Sequence, residues 1–450
     1  MTEEHYRYLP DTPEDIQEML EVIGAESIEE LFADIPSAIR MEGELAIPAA
    51  MAEETLLRHM QHLAEQNTSS NELPIFLGAG TYDHSIPSVV DAVISRSEFY
   101  TAYTPYQAEA SQGELQAIFE FQTMISELTG MEVSNSSLYD GFASLGEAVG
   151  LAQAATRKNK IVLSQGVHPQ GREVIWTAAP GRGTEVVEIP LKDDQTDLHL
   201  LADALTDDTA AVVIQYPNFF GTVEDLAAVK ALIGDRKIRF IVMANPLALA
   251  VLESPGRLGA DIVVGDTQPF GIPMAYGGPH CGYFAVNQAD IRKVPGRMVG
   301  ETVDAEGKRG YVLTLQSREQ HIRREKATSY MSSNQALNAL ASAVCMTALG
   351  KTGVQEMAQL NLNKAGYLAD QLAEKGFPIF NQGVFFNEFV VELPISADEA
   401  NRQLLEAGFI GGYSLAKDYH MPNHLLLCAT EKRTKAQLDQ FVEVLGGLKA

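Results

Sequence analysis

The chain has 450 residues, 46% of them hydrophobic and 21% charged, which is typical of a globular protein with a sizeable core. Its 60 acidic and 33 basic side chains give a formal net charge of -27. So acidic a surface would be repelled by nucleic-acid phosphates and by anionic lipid, and no run of 18 apolar residues occurs. We therefore expect neither a nucleic-acid partner nor a membrane partner.

The cysteines and the first residues of the chain indicate the cellular compartment of the protein. Cys281, Cys345 and Cys428 are odd in number and widely spaced, so they do not form a disulfide framework pattern. The first residues, MTEEHYRYLPDTPED, are acidic and polar, unlike a secretory signal. Both features favour a reducing cytoplasm, where thiols stay free.

Residues 1–72 are predicted to form a helical arm. Thr12 can cap a helix, Pro13 suits its first position, and Gly24 would end it. The apolar face of this helix would consist of Ile16, Met19, Leu20 and Ile23. Ser27 and Glu30 form a capping-box pattern for a second short helix. Two such amphipathic helices need a surface to pack on, either the chain's own or that of a partner subunit.

Residues 73–325 are predicted to form a large α/β domain. Apolar, β-branched segments alternate there with helical segments such as 141–158 and 222–233. The clearest predicted strands begin at Lys160, Thr184, Ala210, Arg239, Ala260 and Gly282. Several are apolar almost throughout, as strands covered on both faces must be, so the pattern predicts a mostly parallel sheet between helices.

Residues 326–450 are predicted to form a smaller α+β domain. Helical patterns cover 333–349 and 353–375, and the strand-like segments FFNEFVVELP and HLLLCAT follow them. A last helix is predicted from Thr434. The whole chain is thus expected to have an α/β fold with a small C-terminal α+β domain.

Two glycine-rich segments do not carry a nucleotide-binding pattern. In IFLGAGTYD, Asp83 stands where a dinucleotide-binding motif needs its third glycine, and a carboxylate there would face a pyrophosphate. A tight turn explains Gly78 and Gly80 better. The segment YGGPHCG lacks the Lys-Ser/Thr ending of a phosphate-binding P-loop.

The segment from Asn135, NSSLYDGFASLGEAVGLA, places a polar turn directly before a long helix. Backbone amides at a helix N-terminus suit a phosphate, and enzymes that hold pyridoxal phosphate (PLP) on a doubly wound sheet use such a turn for it. Asp140 argues against a strong phosphate site. A simple capped helix start therefore stays an equal alternative.

The segment from Gly259, GADIVVGDTQPFGIPMAYGGPHCGYF, predicts a buried strand, a polar turn after it and a Gly/Pro-rich loop. In PLP enzymes with this fold, the lysine that binds the cofactor follows such a strand. No lysine occurs between Lys237 and Lys293, and without an amine nucleophile no covalent bond to PLP can form. On the preceding strand no Asp or Glu lies between Asp235 and Glu253 to keep the PLP ring nitrogen protonated.

Two further segments carry polar or charged side chains that are candidates for an interface or an anion contact. In EFYTAYTPYQAEASQGELQ, Tyr103 and Tyr106 stand beside Gln107; the tyrosines either pack a helix on the sheet or reach into a neighbouring subunit's pocket. In SREQHIRREKATS, the basic residues Arg323 and Arg324 form part of a basic run. That run is either a solvated helix face or a contact for an anion.

These motifs together resemble one family over nearly the whole chain: the N-terminal-type subunits of two-subunit glycine decarboxylases, the P-proteins of the glycine cleavage system. The segments that carry the resemblance are RYLPDTPEDI, ELFADIP, FLGAGTYDH, YTPYQAEASQGELQ, SLYDGFASLGEA, GADIVVGDTQPFGIPMAYGGPH and REQHIRREKATS. The resemblance implies the PLP-dependent transferase fold of type I.

The resemblance also assigns positions in the cofactor site. The catalytic subunit of that family carries the segment HKTF, whose lysine bears PLP. Aligned with TQPF in this chain, it puts Gln268 at the lysine position. The same comparison puts Val242 near the ring-nitrogen carboxylate and His168 at the position that stacks on the PLP ring.

The function that the resemblance implies is shared between subunits. A catalytic partner, P-protein subunit 2, would carry PLP and decarboxylate glycine, and the aminomethyl group would pass to the lipoyl arm of the H-protein, with the T-protein and L-protein completing the system. This chain would complete the site of that oxidoreductase without being competent alone. The interface or substrate-channel candidates are Tyr103, Tyr106, Gln107, His168, Arg323 and Arg324.

Two other functions stay open on the sequence. One is a structural or regulatory paralogue without decarboxylase activity. The other is an independent PLP enzyme that uses a different lysine, such as Lys293 or Lys326. We expect no metal site in either case.

Overall fold

The structure is a computed structural model that describes residues 8–41, 43, 45–100, 107–316, 319–327, 329–331 and 334–448. The chain divides into two units, Met1–Asn67 and Thr68–Ala450. Among the described residues, every β-strand lies in the second unit. None of the helices in the described part of the chain is long and apolar enough to cross a membrane.

The α-helices of these residues are numbered in chain order. They are α1 (Pro13–Ile23), α2 (Glu53–Ala64), α3 (Ser88–Ile94), α4 (Ser97–Tyr100), α5 (Gln112–Thr129), α6 (Gly141–Thr156), α7 (Pro169–Arg182), α8 (Leu198–Ala204), α9 (Leu226–Ile233), α10 (Gln320–Arg323), α11 (Ala336–Glu374), α12 (Ala397–Glu406), α13 (Ala416–Tyr419) and α14 (Lys435–Gly446).

The strands are numbered in the same way. They are β1 (Val133–Ser134), β2 (Lys160–Ser164), β3 (Glu185–Ile189), β4 (Leu191–Lys192), β5 (Gln195–Thr196), β6 (Thr209–Tyr216), β7 (Arg239–Ala244), β8 (Ile262–Asp266), β9 (Gly282–Val286), β10 (Val299–Val303), β11 (Arg309–Leu313), β12 (Glu388–Glu392), β13 (Tyr413–Ser414) and β14 (His424–Cys428).

The first unit begins with the helix that the sequence predicts. Thr12 and Asp15 cap α1 reciprocally: the Asp15 amide donates to the Thr12 hydroxyl, and the Thr12 amide donates to the Asp15 carboxylate at 2.8 Å. Gly24 ends α1 in the left-handed region. The second predicted helix is only a five-residue 3-10 helix, and its capping box is half made, since the Glu30 carboxylate accepts from the Glu26 amide and not from the Ser27 amide.

A seven-stranded sheet organises the second unit, in the order β1-β9-β8-β7-β6-β2-β3. Strands β3, β2, β6, β7 and β8 are parallel, while β9 and β1 run antiparallel to their neighbours. Apolar side chains of α6 cover one face, and those of α5, α8 and α9 cover the other. Burial on both faces explains why these strands are almost continuously apolar, and it confirms the predicted mostly parallel sheet.

The helix predicted at 222–233 begins later, at Leu226. Asp225 caps it by accepting a hydrogen bond from the Ala228 amide at 2.9 Å. Thr222 and Glu224, which precede the cap, instead take part in buried hydrogen bonds with Asp194, Thr196 and Asn218. Their side chains therefore serve a buried polar network rather than a helix face.

The C-terminal part contains a three-stranded antiparallel sheet, β12-β14-β13. Its apolar side chains pack with those of α12, α14 and the second half of α11, and Phe76 stacks on Phe441 with ring centroids 3.9 Å apart. Gly350, at φ 62°, divides α11 into two halves. The two helical stretches predicted on either side of this position are thus correct.

Candidate functional site

A cavity of about 530 Å³ lies at the carboxyl ends of the central parallel strands. Strands β6, β7 and β8 contribute residues from their last positions or just beyond them: Gln215, Pro217, Met243, Ala244, Asn245 and Asp266. The start of α6 and the loop 79–82 close the cavity from the sides. In open α/β sheets, the crevice outside the carboxyl ends of the strands is where ligands bind, so this cavity is the candidate site.

Gln268 lies two residues after β8 and is 1% exposed. Its side-chain nitrogen donates to the carbonyl oxygens of Tyr82, at 2.8 Å, and Ile272, at 3.0 Å. Its side-chain oxygen accepts from the Tyr82 amide at 2.9 Å. The amide group of Gln268 therefore pairs with a backbone segment 186 residues away, and it is not among the groups that line the cavity.

Strand β7 presents no carboxylate to the cavity. Val242 is fully buried in the apolar core that also contains Val212, Ile214 and Val263. The cavity is lined instead by Met243 and Ala244, the last two residues of β7. The strand position predicted near Val242 thus faces the core, and the neighbouring side chains that face the cavity are apolar as well.

The N-terminus of α6 is occupied by two carboxylates of the chain itself. Asp140 accepts a hydrogen bond from the Ala143 amide at 2.8 Å. Asp266, at the end of β8, accepts one from the Gly141 amide at 3.1 Å. His280 approaches the same Asp266 carboxylate at 3.3 Å, and this hydrogen bond raises the pKa of the imidazole. The segment before α6 is thus a capped helix start, one of the two sequence alternatives.

His168 forms part of the aromatic wall of the cavity. Its ring lies between Phe142 and Phe219, with centroids 4.6 and 4.7 Å away. Burial lowers the pKa of His168 to about 4, so the ring is neutral near pH 7. One ring nitrogen accepts from the Gln170 amide, which leaves the other to donate to the Ala79 carbonyl oxygen at 3.0 Å.

Glu388, on β12, lines the cavity and is not among the predicted site residues. Its carboxylate accepts from the Ala79 amide at 2.7 Å and from the Tyr82 hydroxyl at 2.8 Å. Gly78 lets the loop approach this closely, since a Cβ there would lie 2.5 Å from the Glu388 carboxylate. A charged residue inside the apolar segment FFNEFVV was the sequence signal that could have pointed to it.

Burial raises the pKa of Glu388 to about 7. A raised carboxyl pKa favours the folded state while the group is protonated, so this contribution is complete at low pH and is lost as the pH rises through 7. Relative to a Glu388→Gln variant, the wild-type free energy of unfolding should fall by roughly 2–3 kcal/mol between pH 5 and pH 8. Urea unfolding at both pH values measures this difference.

The exposed Glu356 on α11 provides the control, as Glu356→Gln should leave the pH dependence of the wild type unchanged. If the stability difference between the wild type and Glu388→Gln were the same at both pH values, Glu388 would not hold a proton in the folded state at pH 5, and the raised pKa would be wrong.

The other predicted site residues lie away from the cavity or outside the described residues. Tyr103 and Tyr106 belong to the second group, while Gln107 is exposed just before α5. Arg323 ends the short, exposed helix α10, and Arg324 lines a separate open surface cavity with His321 and Tyr330. Of the four candidates that the structure describes, Gln107, His168, Arg323 and Arg324, it brings only His168 to the main cavity.

Neither lysine of the independent-enzyme hypothesis lines this cavity. The Lys293 amine pairs with the Asp290 carboxylate at 2.7 Å, and Lys326 is exposed in a 3-10 helix. Among the described residues, no group of three or more His, Cys, Asp or Glu side chains is arranged to hold a metal ion. The three cysteines are buried and free.

The residues of the cavity do not fit PLP. The position after β8 carries a glutamine whose amide is already hydrogen-bonded to backbone, so no amine is available to bind the cofactor aldehyde. The last residues of β7 offer no carboxylate for a pyridine nitrogen. The helix end suited to a phosphate is taken by Asp140 and Asp266.

The fold itself nonetheless defines a class, that of PLP-dependent transferases of fold type I. A mutant of the lyase C-DES with glycine covalently linked to its PLP cofactor matches this chain with a TM-score of 0.61, at 16% identity, over 85% of this chain and all of that one. A crystal structure of glycine decarboxylase (P-protein) in inhibitor-bound form matches with a TM-score of 0.91, at 42% identity, over 98% of this chain and 99% of that one.

The sequence comparisons narrow the class to one family. The model of the glycine cleavage system P-protein family matches residues 6–445. A probable glycine dehydrogenase (decarboxylating) subunit 1 from Geobacillus sp. (strain WCH70) is 57% identical over 446 residues, which cover 99% of this chain and all of the relative. The chain belongs to the glycine cleavage system P-protein family.

Proposed function

We propose that this chain is the non-PLP-carrying subunit of a two-subunit glycine decarboxylase. The observation that supports the proposal is the Gln268 side chain, which the resemblance aligns with the cofactor lysine and which makes three hydrogen bonds to backbone in a chain of the P-protein family. The subunit 1 designation of its relatives implies a second subunit in those proteins. In our proposal that second subunit carries PLP for both.

The reaction we assign to the pair is that of the glycine cleavage system. PLP on the partner supplies an electron sink for the decarboxylation of glycine. The pair then transfers the aminomethyl group to the lipoyl arm of the H-protein, and the T-protein and L-protein act after it. We place the pair in the cytoplasm, where a reducing environment would keep the three free cysteines as thiols.

The contribution of this chain is to complete the partner's site and exclude water from it. A pocket closed by a second subunit strengthens each hydrogen bond made inside it, because the surroundings become less polar. In our proposal this chain performs no proton transfer. Its own cavity is kept rigid by the contacts of Gln268, His168 and Glu388 with the loop 79–82.

The test is co-expression with the catalytic subunit, followed by a glycine–bicarbonate exchange assay. We expect the two chains to purify together, the pair to exchange, and this chain alone to be inactive. Borohydride reduction of the pair, followed by peptide mapping, should place the pyridoxyl label on the partner. A stoichiometric label on any lysine of this chain would contradict the proposal, and failure to co-purify would favour the structural or regulatory paralogue.

At least one polar group of Tyr103, Tyr106 and Gln107 is proposed to face the interface between the two subunits, within reach of the partner's cofactor or glycine entrance. Replacing each tyrosine by Phe removes the hydroxyl group and keeps the ring that packs. We expect exchange to fall at least tenfold in one of the two variants, equivalent to ~1.4 kcal/mol of transition-state stabilisation. Tyr100→Phe is the matched control nearby. Unchanged exchange in both variants, with the pair intact, would show that these tyrosines only pack.

A further inference from the structure

The start of α6 has the geometry of an anion site, yet the chain supplies the anion. The amide of Gly141, the first helical residue, donates to one oxygen of Asp266, and the amide of Ala143 donates to Asp140. Both carboxylates line the cavity of about 530 Å³. Amides at a helix N-terminus are the groups that bind phosphate in other proteins, so the two carboxylates hold the place of a phosphate.

Asp266 is held firmly in that place. Its second oxygen accepts hydrogen bonds from two backbone amides, that of Gln268 at 2.8 Å and that of Cys281 at 3.4 Å. The backbone packs tightly around it: a Cβ on Gly141 would lie 3.1 Å from the Gly265 carbonyl carbon, and one on Gly282 would lie 2.2 Å from the Asp140 carbonyl oxygen. Backbone amides of three segments, at Gly141, Gln268 and Cys281, therefore hold the Asp266 carboxylate, and little space is left for a second anion.

The charge of the cavity points the same way. Of the described residues that line it, none is Lys or Arg, while Asp140, Asp266 and Glu388 are acidic. His280, which also lines the cavity, pairs with Asp266. A phosphate at the start of α6 would thus meet two carboxylates at close range with no lysine or arginine among the lining residues to offset the repulsion.

We propose that Asp266, together with Asp140, is a specificity residue that excludes phosphate-bearing ligands, PLP included, from the cavity of this chain. The inference rests on the proposed function, in which the partner alone carries PLP. It deepens that function by stating how the pair avoids a second, unproductive equivalent of cofactor: the helix end that would hold its phosphate is filled by the chain's own carboxylates.

The test measures phosphate binding, not catalysis. The pair, with the partner's site saturated with PLP, is dialysed to equilibrium against radioactive inorganic phosphate, and the full chain alone is treated in the same way. The principal variant is Asp140→Ser with Asp266→Ala, which retains a capping hydroxyl and opens the helix end. Asp266→Ser is a milder second variant. Asp225→Asn, which neutralises the cap of α9, is the matched control.

We expect the double variant to bind one additional phosphate per chain at least tenfold more tightly than the wild type, with Asp266→Ser intermediate and Asp225→Asn like the wild type. Added PLP should displace that phosphate. The inference is overturned if folded variants bind no more phosphate than the wild type, if the wild type itself binds one equivalent in competition with PLP, or if PLP does not displace the phosphate that the variants gain.

The outcomes separate this inference from the proposed function. Loss of co-purification or exchange in the wild-type pair would refute the function, whereas the dialysis of the full chain alone still reports on Asp266. If the double variant fails to fold, Asp266→Ser decides the result by the same criteria, because serine is small and can still accept a hydrogen bond.

Discussion

Gln268→Lys is expected to lower the stability of this chain strongly and to create no second active site. The glutamine is 1% exposed, and its amide makes three hydrogen bonds to the backbone of Tyr82 and Ile272. A lysine side chain has no acceptor for the hydrogen bond that the Tyr82 amide now donates, and its ammonium group would be buried without a carboxylate to pair with. We expect a loss of at least ~3 kcal/mol in the free energy of unfolding.

Catalysis should not follow even where the variant folds. The last residues of β7 offer no carboxylate to keep the ring nitrogen of PLP protonated, and Asp140 and Asp266 occupy the end of α6. Chemical denaturation of the variant and absorbance of the pair with excess PLP are the two measurements. Gln268→Met, uncharged and of similar length, is the control that separates the lost hydrogen bonds from the cost of the buried charge.

A Gln268→Lys variant as stable as Gln268→Met would show that the buried ammonium costs nothing. A variant that gained a covalent cofactor and a second exchange activity would contradict our description of the cavity. The second outcome would require the loop 79–82 to move away from residue 268, because the Tyr82 backbone now makes two hydrogen bonds to the Gln268 side chain.

Asp83→Asn is the substitution from which we expect the second large effect. Asp83 is 8% exposed and pairs with Lys432, at 2.6 Å, and with the guanidinium of Arg433. The Arg433 side chain is only 4% exposed, so removal of the carboxylate charge leaves a buried cation without its partner. Breaking a buried pair in this way typically costs 3–5 kcal/mol, and we expect about that loss.

The loop that carries Asp83 also supplies Ala79 and Tyr82 to the cavity, and the Thr430 hydroxyl donates to the Asp83 carbonyl oxygen at 2.7 Å. The substitution should therefore loosen the loop as well as lower stability. Chemical denaturation measures the first effect, and hydrogen exchange of the amides in 79–85 measures the second.

The matched control is Asp439→Asn, which breaks an exposed pair with Lys435 on the surface of α14. Exposed pairs contribute little because water screens them, so this variant should behave nearly like the wild type. Equal, small effects of the two substitutions would mean that the Asp83 pair does not hold the loop.

Much of the fold could be predicted from local sequence. The strands β2, β6, β7 and β8 were found because burial on both faces makes them apolar, and α1 was found because Thr12, Pro13 and Gly24 mark its ends. The 3-10 helix after Ser27 and the late start of α9 were not predicted. In both places side chains bind backbone or buried groups that a local pattern does not reveal.

Some features of the candidate site could likewise be predicted from the sequence, and others could not. The sequence alone shows that no lysine lies near Gln268 and that β7 carries no carboxylate, because both facts concern only which residues the chain contains. His168, which the resemblance assigned to the position that stacks on the PLP ring, lines the cavity, and its role there stays a prediction. Tyr103 and Tyr106 stay predictions, because they lie outside the described residues.

Only the tertiary structure decided which distant groups meet at the cavity. Asp266 reaches the start of α6 across 125 residues, Gln268 pairs with Tyr82 across 186, and Glu388 meets Ala79 across 309. Hydrophobic periodicity reports the local burial of each strand or helix, but not which distant polar groups meet at the end of a sheet. Those contacts follow from the packing of whole elements, which places the carboxylates of Asp140 and Asp266 at the start of α6.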